Sequence, residues 1–189
     1  MAMRLDIDMI SWATEQAETF LRPLGNRWDH TKGVVRVARQ MAKVIDEENR
    51  SLLVTAAYLH DIGYAPILRK TGFHPLDGAI YIRSLGEERL ACLVAHHSEA
   101  RFEAALRGHT SELASYPREQ STLTEALIYC DMITGPTGQH ISFEERIADI
   151  LTRYGANDVV AIAIREALPT LAFAVERTQQ LMQQARQRE

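Results

Sequence analysis

The chain has 189 residues, of which 46% are hydrophobic and 24% are charged, and its formal net charge at pH 7 is −4. This length and composition suit one globular domain, and the negative charge argues against a general nucleic-acid or anionic-membrane binder. No apolar run is long enough to span a bilayer, and residues 1–8 lack an apolar signal core. Because Cys92 and Cys130 lie in helical patterns and not in a paired-thiol motif, we expect a cytoplasmic protein.

Nearly every segment has the period of an amphipathic helix, and no long run alternates as a strand does. The pattern predicts an all-α, single-domain helical bundle over residues 1–189. We expect helices at about 8–21, 28–46, 49–61, 75–85, 87–97, 117–133, 142–154 and 158–186, with a short helix and a loop between 98 and 117. The last helix should break or bend at Pro169, and Ser142 with Glu145 forms the pattern of a capping box.

The adjacent residues His60 and Asp61 end an apolar helical run and precede Gly63. A carboxylate is unfavourable at the carboxyl end of a helix, which carries partial negative charge, unless a cation lies nearby. Burial behind apolar residues raises the free energy of an unpaired charge further. A metal ion bound by both side chains would remove both objections. The alternative is that His60 caps the last carbonyls while Asp61 faces water.

Other side chains of the metal-ligand type also occupy helix ends or an inner helix face. Each one has a structural explanation by itself, such as a hydrogen-bonded core histidine or a turn aspartate. Together they predict helices that converge on one point, which is how carboxylate–histidine metal sites are built in all-α proteins. These further candidates are His30, His74, His96, His97 and Asp131.

The order of His30, His60-Asp61 and Asp131 resembles that of the HD-domain metal-dependent phosphohydrolases. Residues 60–63 read His-Asp-Ile-Gly, a variant common in that family, and residues 27–34 are similar to the start of its domain. The resemblance covers about residues 27–146. We therefore expect an HD-type metal-binding core there, with flanking helices in residues 1–26 and 147–189.

The resemblance also implies a set of metal ligands. The family's simplest members hold one ion with the equivalents of His30, His60, Asp61 and Asp131, and a subset with additional histidines holds two. This sequence matches that subset, so Asp61 would bridge the ions and, with His60, form the catalytic pair. His74, His96 and His97 would complete the second site, and helical periodicity does not choose between the last two. Residues 98–102 lack the Gly-Tyr-Pro triplet of the cyclic-dinucleotide phosphodiesterases, which weakens that substrate class.

Imidazole and carboxylate ligands suit Fe, Mn, Co or Zn, and two such divalent ions can supply a metal-activated hydroxide. The implied reaction is hydrolysis of a phosphate ester or anhydride in a small, nucleotide-like metabolite. Arg27 and Arg146 are candidates for neutralising its phosphate oxygens. Two other functions remain open, a di-iron oxygenase with the same six ligands and a non-catalytic sensor of metal or nucleotide. No membrane partner is expected, and a homo-oligomer is compatible with the sequence.

Overall fold

The computed structural model describes the backbone of residues 6–187 and the side chains of residues 9–187. In this range the chain forms ten α-helices and no strand, which confirms the predicted all-α class. The helices are α1 (Asp6–Leu21), α2 (Asn26–Met41), α3 (Arg50–Leu59), α4 (His74–Ser84), α5 (Glu88–His96), α6 (Arg101–Arg107), α7 (Thr110–Ala114), α8 (Thr122–Met132), α9 (Phe143–Tyr154) and α10 (Val159–Arg186).

Several helices end or begin at different residues from those that periodicity predicts. Helix α2 ends at Met41, and residues 42–45 continue in tighter turns that leave Ile45 buried. Helix α8 begins at Thr122, not near residue 117, because the Ser121 hydroxyl accepts a hydrogen bond from the Thr124 amide and caps the first turn. The predicted short helix between residues 98 and 117 is two helices, α6 and α7.

Two predictions concern the two carboxyl-terminal helices. Ser142 and Glu145 form the predicted capping box at the start of α9, with both reciprocal hydrogen bonds present. Helix α10, in contrast, continues without a break through Pro169. A proline removes one hydrogen bond from a helix, and the packing of α10 against α6, α8 and α9 holds the helix together around that loss.

The core lies where α2 and α3 meet α1, α5 and α8, and its largest fully buried side chains include Leu53, Leu59, Ile62 and Leu127. Helix α4 packs against α5 and also against the short turn Ile62–Tyr64 that follows α3. A side chain at Gly63 would collide with the backbone of α4, because its Cβ would lie 2.0 Å from the His74 carbonyl oxygen. This close approach brings the residues after α3 next to the start of α4.

None of the described helices is both long enough and apolar enough to cross a membrane. Residues 1–5, which form most of the segment predicted to lack a signal core, lie outside the described range.

Candidate metal centre

Five elements deliver their candidate ligands to one region of the bundle. His30 lies in α2, His60 and Asp61 directly follow α3, and His74 opens α4. His97 follows α5, and Asp131 lies in the last turn of α8. Most of these side chains therefore stand at or next to helix ends. All except the partly exposed His74 are buried.

The ligand atoms form two groups, each with the spacing that a metal ion requires. One group consists of His30, His60 and Asp131, and the other consists of Asp61, His74 and His97. Within each group the candidate nitrogen and oxygen atoms all lie within 4.8 Å of one another. In the first group His30 Nε2 is 3.0 Å from Asp131 Oδ1, and in the second His74 Nε2 is 3.3 Å from His97 Nε2.

Asp61 lies between the two groups and presents one carboxylate oxygen to each. Its Oδ2 is 3.4 Å from His60 Nε2 and 4.0 Å from His30 Nε2. Its Oδ1 is 3.5 Å from His74 Nε2 and 3.8 Å from His97 Nε2. The side chain is therefore placed so that one carboxylate serves both groups.

Three of the histidines are oriented by backbone carbonyl oxygens. A carbonyl oxygen only accepts hydrogen bonds, so the Nδ1 atom that faces it carries the proton. In a neutral ring the Nε2 atom then has no proton and presents its lone pair. Metal-binding histidines are held in the same way by their second nitrogen. The pairs are His30 Nδ1 with Gly135 O at 3.1 Å, His60 Nδ1 with Ala57 O at 2.8 Å, and His97 Nδ1 with Val94 O at 2.6 Å.

These orientations leave the Nε2 lone pairs of His30 and His60 facing carboxylate oxygens. A cation between them would bind both the nitrogen and the oxygen atoms. His60 Nε2 is buried and has no hydrogen-bond partner, and His30 Nε2 points at Asp131 Oδ1. Two acceptors at such distances repel each other unless a proton or a metal ion lies between them. Nitrogen and carboxylate donors together suit divalent transition metals. The residues present therefore fit a metal centre.

The electrostatic surroundings keep most of these groups in the protonation state that metal binding needs. Burial alone would raise the pKa of Asp61, but the charges of Arg27 and His60 hold that pKa well below its ordinary value. In Asp131 burial is likewise outweighed, by the close contact with His30 and the charge of Arg146, and the pKa is held well below its ordinary value. Both acids are therefore ionised at neutral pH, as ligands must be.

The pKa values of three of the histidines shift in two different directions. Burial lowers the pKa of His74 well below its ordinary value and also lowers the pKa of His97, so both rings are neutral at pH 7. In His60 burial acts in the same direction, but the carboxylate of Asp61 outweighs it and raises the pKa. A proton is one way to satisfy the lone pair on His60 Nε2, and a divalent cation is another.

The two candidate phosphate-binding arginines contact the carboxylates of the centre. Arg27 Nη1 donates to Asp61 Oδ2 at 2.7 Å, and Arg146 Nη2 donates to Asp131 Oδ1 at 3.2 Å. The Arg27 guanidinium also lies 3.8 Å from the centroid of the Tyr64 ring, whose stacking partner is His74 at 3.9 Å. Both arginines thus contact candidate ligand carboxylates, and Arg146 Nη1 also lies 3.5 Å from Asp149 Oδ2.

The structure separates the adjacent histidines 96 and 97. His97 belongs to the second group, whereas His96 lies outside both groups and donates from Nε2 to the Tyr116 carbonyl oxygen at 2.6 Å. The inclusion of His96 among the candidate ligands is therefore corrected. Helix α5 ends at His96, whose φ of −109° and ψ of 5° already depart from helical values, so the regular angular spacing of helical side chains does not hold between the two rings.

Three further contacts at the centre were not predicted from the sequence. The Ser98 hydroxyl donates to Asp131 Oδ2, and Tyr64 lies between Arg27 and His74. The carbonyl that orients His30 belongs to a loop that packs closely on α2, where a Cβ at Gly33 would lie 2.6 Å from Gly138 O. A glycine inside a helix is a signal of such close approach, but the sequence does not name the partner.

A cavity opens onto the centre, and together with the open solvent at its mouth it takes up about 580 Å³. Asp61, His74, His97 and Asp131 form its charged end together with both arginines, whereas His30 and His60 are 2% and 0% exposed and lie outside its lining. The rest of the lining includes the apolar and aromatic residues Ile150, Tyr154, Val160 and Ile164, together with the charged residues Glu103 and Arg153. The arrangement suits a small molecule with an anionic end and a less polar body.

The fold and the site together define an all-α protein in which carboxylates and histidines form a candidate metal centre. The family profile of the HD domain matches residues 27–151. This match covers more than half of the chain, so the protein belongs to the HD-domain family, as the resemblance predicted, and that membership indicates a metal-dependent hydrolase. No curated protein and no solved structure matched the chain significantly.

Proposed function

We propose that this protein is a metal-dependent phosphohydrolase that cleaves a phosphate ester or anhydride of a nucleotide-like metabolite at a dinuclear centre. The observation that carries the proposal is the position of Asp61, which presents one oxygen to each group of candidate ligands. The two groups would hold one divalent ion each, from Fe, Mn, Co or Zn. Such a pair of ions supplies a hydroxide nucleophile near neutral pH and stabilises charge on both the attacking and the leaving oxygen.

The chain's own residues would hold and orient these components. His30, His60 and Asp131 would bind one ion, His74 and His97 would bind the other, and Asp61 would bind both. His60 is fully buried behind the cavity, so its catalytic contribution would be ligation and not contact with substrate. Asp61 lines the cavity and would orient both ions toward the phosphorus atom.

The charge of the cavity supports a phosphorylated substrate. Arg27 and Arg146 line the cavity and each uses a donor on a ligand carboxylate. Arg146 Nη1 also pairs with Asp149, so Arg27 would offer more N–H groups to phosphate oxygens than Arg146. The apolar and aromatic part of the lining, which includes Ile150, Ile164 and Tyr154, suits the base and sugar of a nucleotide.

Two further features belong to this proposal. We propose that residues 1–189 form one domain with residues 27–146 as the HD-type core, because α1 packs on α3 and α10 packs on α8 and α6. We also propose a reducing, cytoplasmic location, since Cys92 and Cys130 are both buried free thiols.

Metal analysis followed by a phosphate-release screen tests the function. The purified protein should contain two transition-metal ions per chain and release phosphate from some of the nucleotides, dinucleoside polyphosphates or generic phosphoesters offered. Asp61→Asn is the matched control and should be inactive on the same panel. A protein with tightly bound iron that consumes dioxygen and releases no phosphate would be the di-iron oxygenase. A metal-loaded protein inert in both assays would be a sensor.

A further inference from the structure

A buried carboxylate that takes no part in the metal centre lies directly beyond it. The side chain of Glu99 is 1% exposed, and its Oε2 accepts from Arg101 Nε at 2.8 Å. Its Oε1 forms a second ion pair with Arg118, which comes from the segment between α7 and α8. Since an unpaired buried carboxylate would be strongly destabilising, these two arginines hold Glu99 in one position.

The turn that contains Glu99 is strained. Ser98 has φ of 51° and Glu99 has φ of 57°, and within residues 6–187 they are the two non-glycine residues with positive φ. A residue with a side chain adopts this left-handed region only at a cost in free energy. Two in succession persist only where the surrounding structure holds them, and the Glu99 ion pairs provide that restraint.

The same turn supplies a contact to each group of the metal centre. His97, which precedes it, belongs to the group with Asp61 and His74. The Ser98 hydroxyl donates to Asp131 Oδ2 in the other group. A change in the turn would therefore move a ligand of one ion directly and would release a hydrogen bond to a ligand of the other.

We propose that Glu99, held by Arg118 and Arg101, is a positioning residue that sets the His97–Ser98 turn for metal binding. The inference rests on the proposed function, because it requires that the two groups bind metal. A purely structural ion pair would change the unfolding temperature and leave the metal affinities as they are. A positioning role changes the affinities, and most strongly that of the ion bound by His97.

Isothermal titration of the metal-free, full-length protein with Mn²⁺ separates these roles. We expect two binding steps in the wild-type protein, one of which His97→Ala abolishes. Glu99→Gln should weaken that same step by about 10–100-fold, the range for residues that orient a metal ligand, and should weaken the other step less. The matched control is Glu119→Gln, whose carboxylate pairs with Arg89 at 2.8 Å and should leave both steps unchanged.

A second variant breaks the ion pair between Glu99 and Arg118 at its more exposed partner. Arg118 is 27% exposed, so Arg118→Gln should fold even where Glu99→Gln does not, and it should weaken the same binding step. Unchanged affinities in both variants, or in Arg118→Gln alone if Glu99→Gln does not fold, would overturn the positioning role. A wild-type protein that binds no metal would instead overturn the proposed function itself.

Discussion

The substitution Asp61→Asn gives the most direct test of a shared metal centre. The asparagine keeps the size of the side chain and one acceptor oxygen, but it removes the charge and the second anionic donor. Because the two carboxylate oxygens face different histidine groups, the substitution should reduce binding of both ions. A ligand that belonged to one site would reduce only one.

The expected magnitude follows from mass action. An ion present at 100 times its Kd stabilises the folded state by about 2.7 kcal/mol, which corresponds to roughly 5–11 °C in Tm for a chain of this size. Two such ions would roughly double the increment. The substitution also leaves Arg27, 22% exposed, without its anionic partner, which should lower metal-free stability by up to about 3 kcal/mol.

Thermal unfolding with EDTA and with saturating Mn²⁺ distinguishes the two effects, because the metal-dependent increment is measured within each variant. Asp61→Asn should lose nearly all of the increment, and elemental analysis should find almost no bound metal. Asp29→Asn is the control, since Asp29 lies on the same helix as His30 but pairs with Lys32 at a half-exposed position. Full metal content or a wild-type increment in Asp61→Asn would refute the bridging role.

Three further outcomes follow from the same geometry. His74→Ala should lower the occupancy of one ion more than that of the other, and an unchanged metal stoichiometry would contradict its assignment. His97→Ala should lose metal, whereas His96→Ala should retain it, as measured by elemental analysis after dialysis. Because burial lowers the pKa of His74 and His97, the metal-free protein should lose stability as pH falls below about 6.5, where the unfolded state binds more protons. The raised pKa of His60 acts in the opposite direction. Because His74→Phe removes the contribution of His74, its free energy of unfolding in urea should fall less between pH 7 and 5 than that of the wild-type protein.

Helical periodicity was enough to predict the fold class and most helices, because each signal is local. The capping box at Ser142 was confirmed, since it depends on residues within one turn. Periodicity placed the start of α8 too early because it does not show where the Ser121 cap competes with continued helix. It also predicted a break or bend at Pro169, where α10 remains one continuous helix that packs against its neighbours.

The choice between His96 and His97 shows why part of the site was beyond sequence reasoning. Helical geometry separates neighbouring side chains by about 100°, but that rule applies only while the chain remains helical. Helix α5 ends at His96, and the next residues pass into a turn with two positive φ angles. The direction of His97 therefore depends on the turn and on Glu99, whose partner Arg118 is 19 residues away.

The residue types and their order along the chain were sufficient to predict an all-α protein, a histidine–aspartate centre and the HD-domain family. Local chemistry determines these features, since helix period, helix-end signals and ligand type are properties of short segments. Only the tertiary structure showed that Asp61 faces both histidine groups, that Arg27 and Arg146 contact the carboxylates, and that Ser98 contacts Asp131. These contacts join residues from different helices, and their distances depend on how the helices pack.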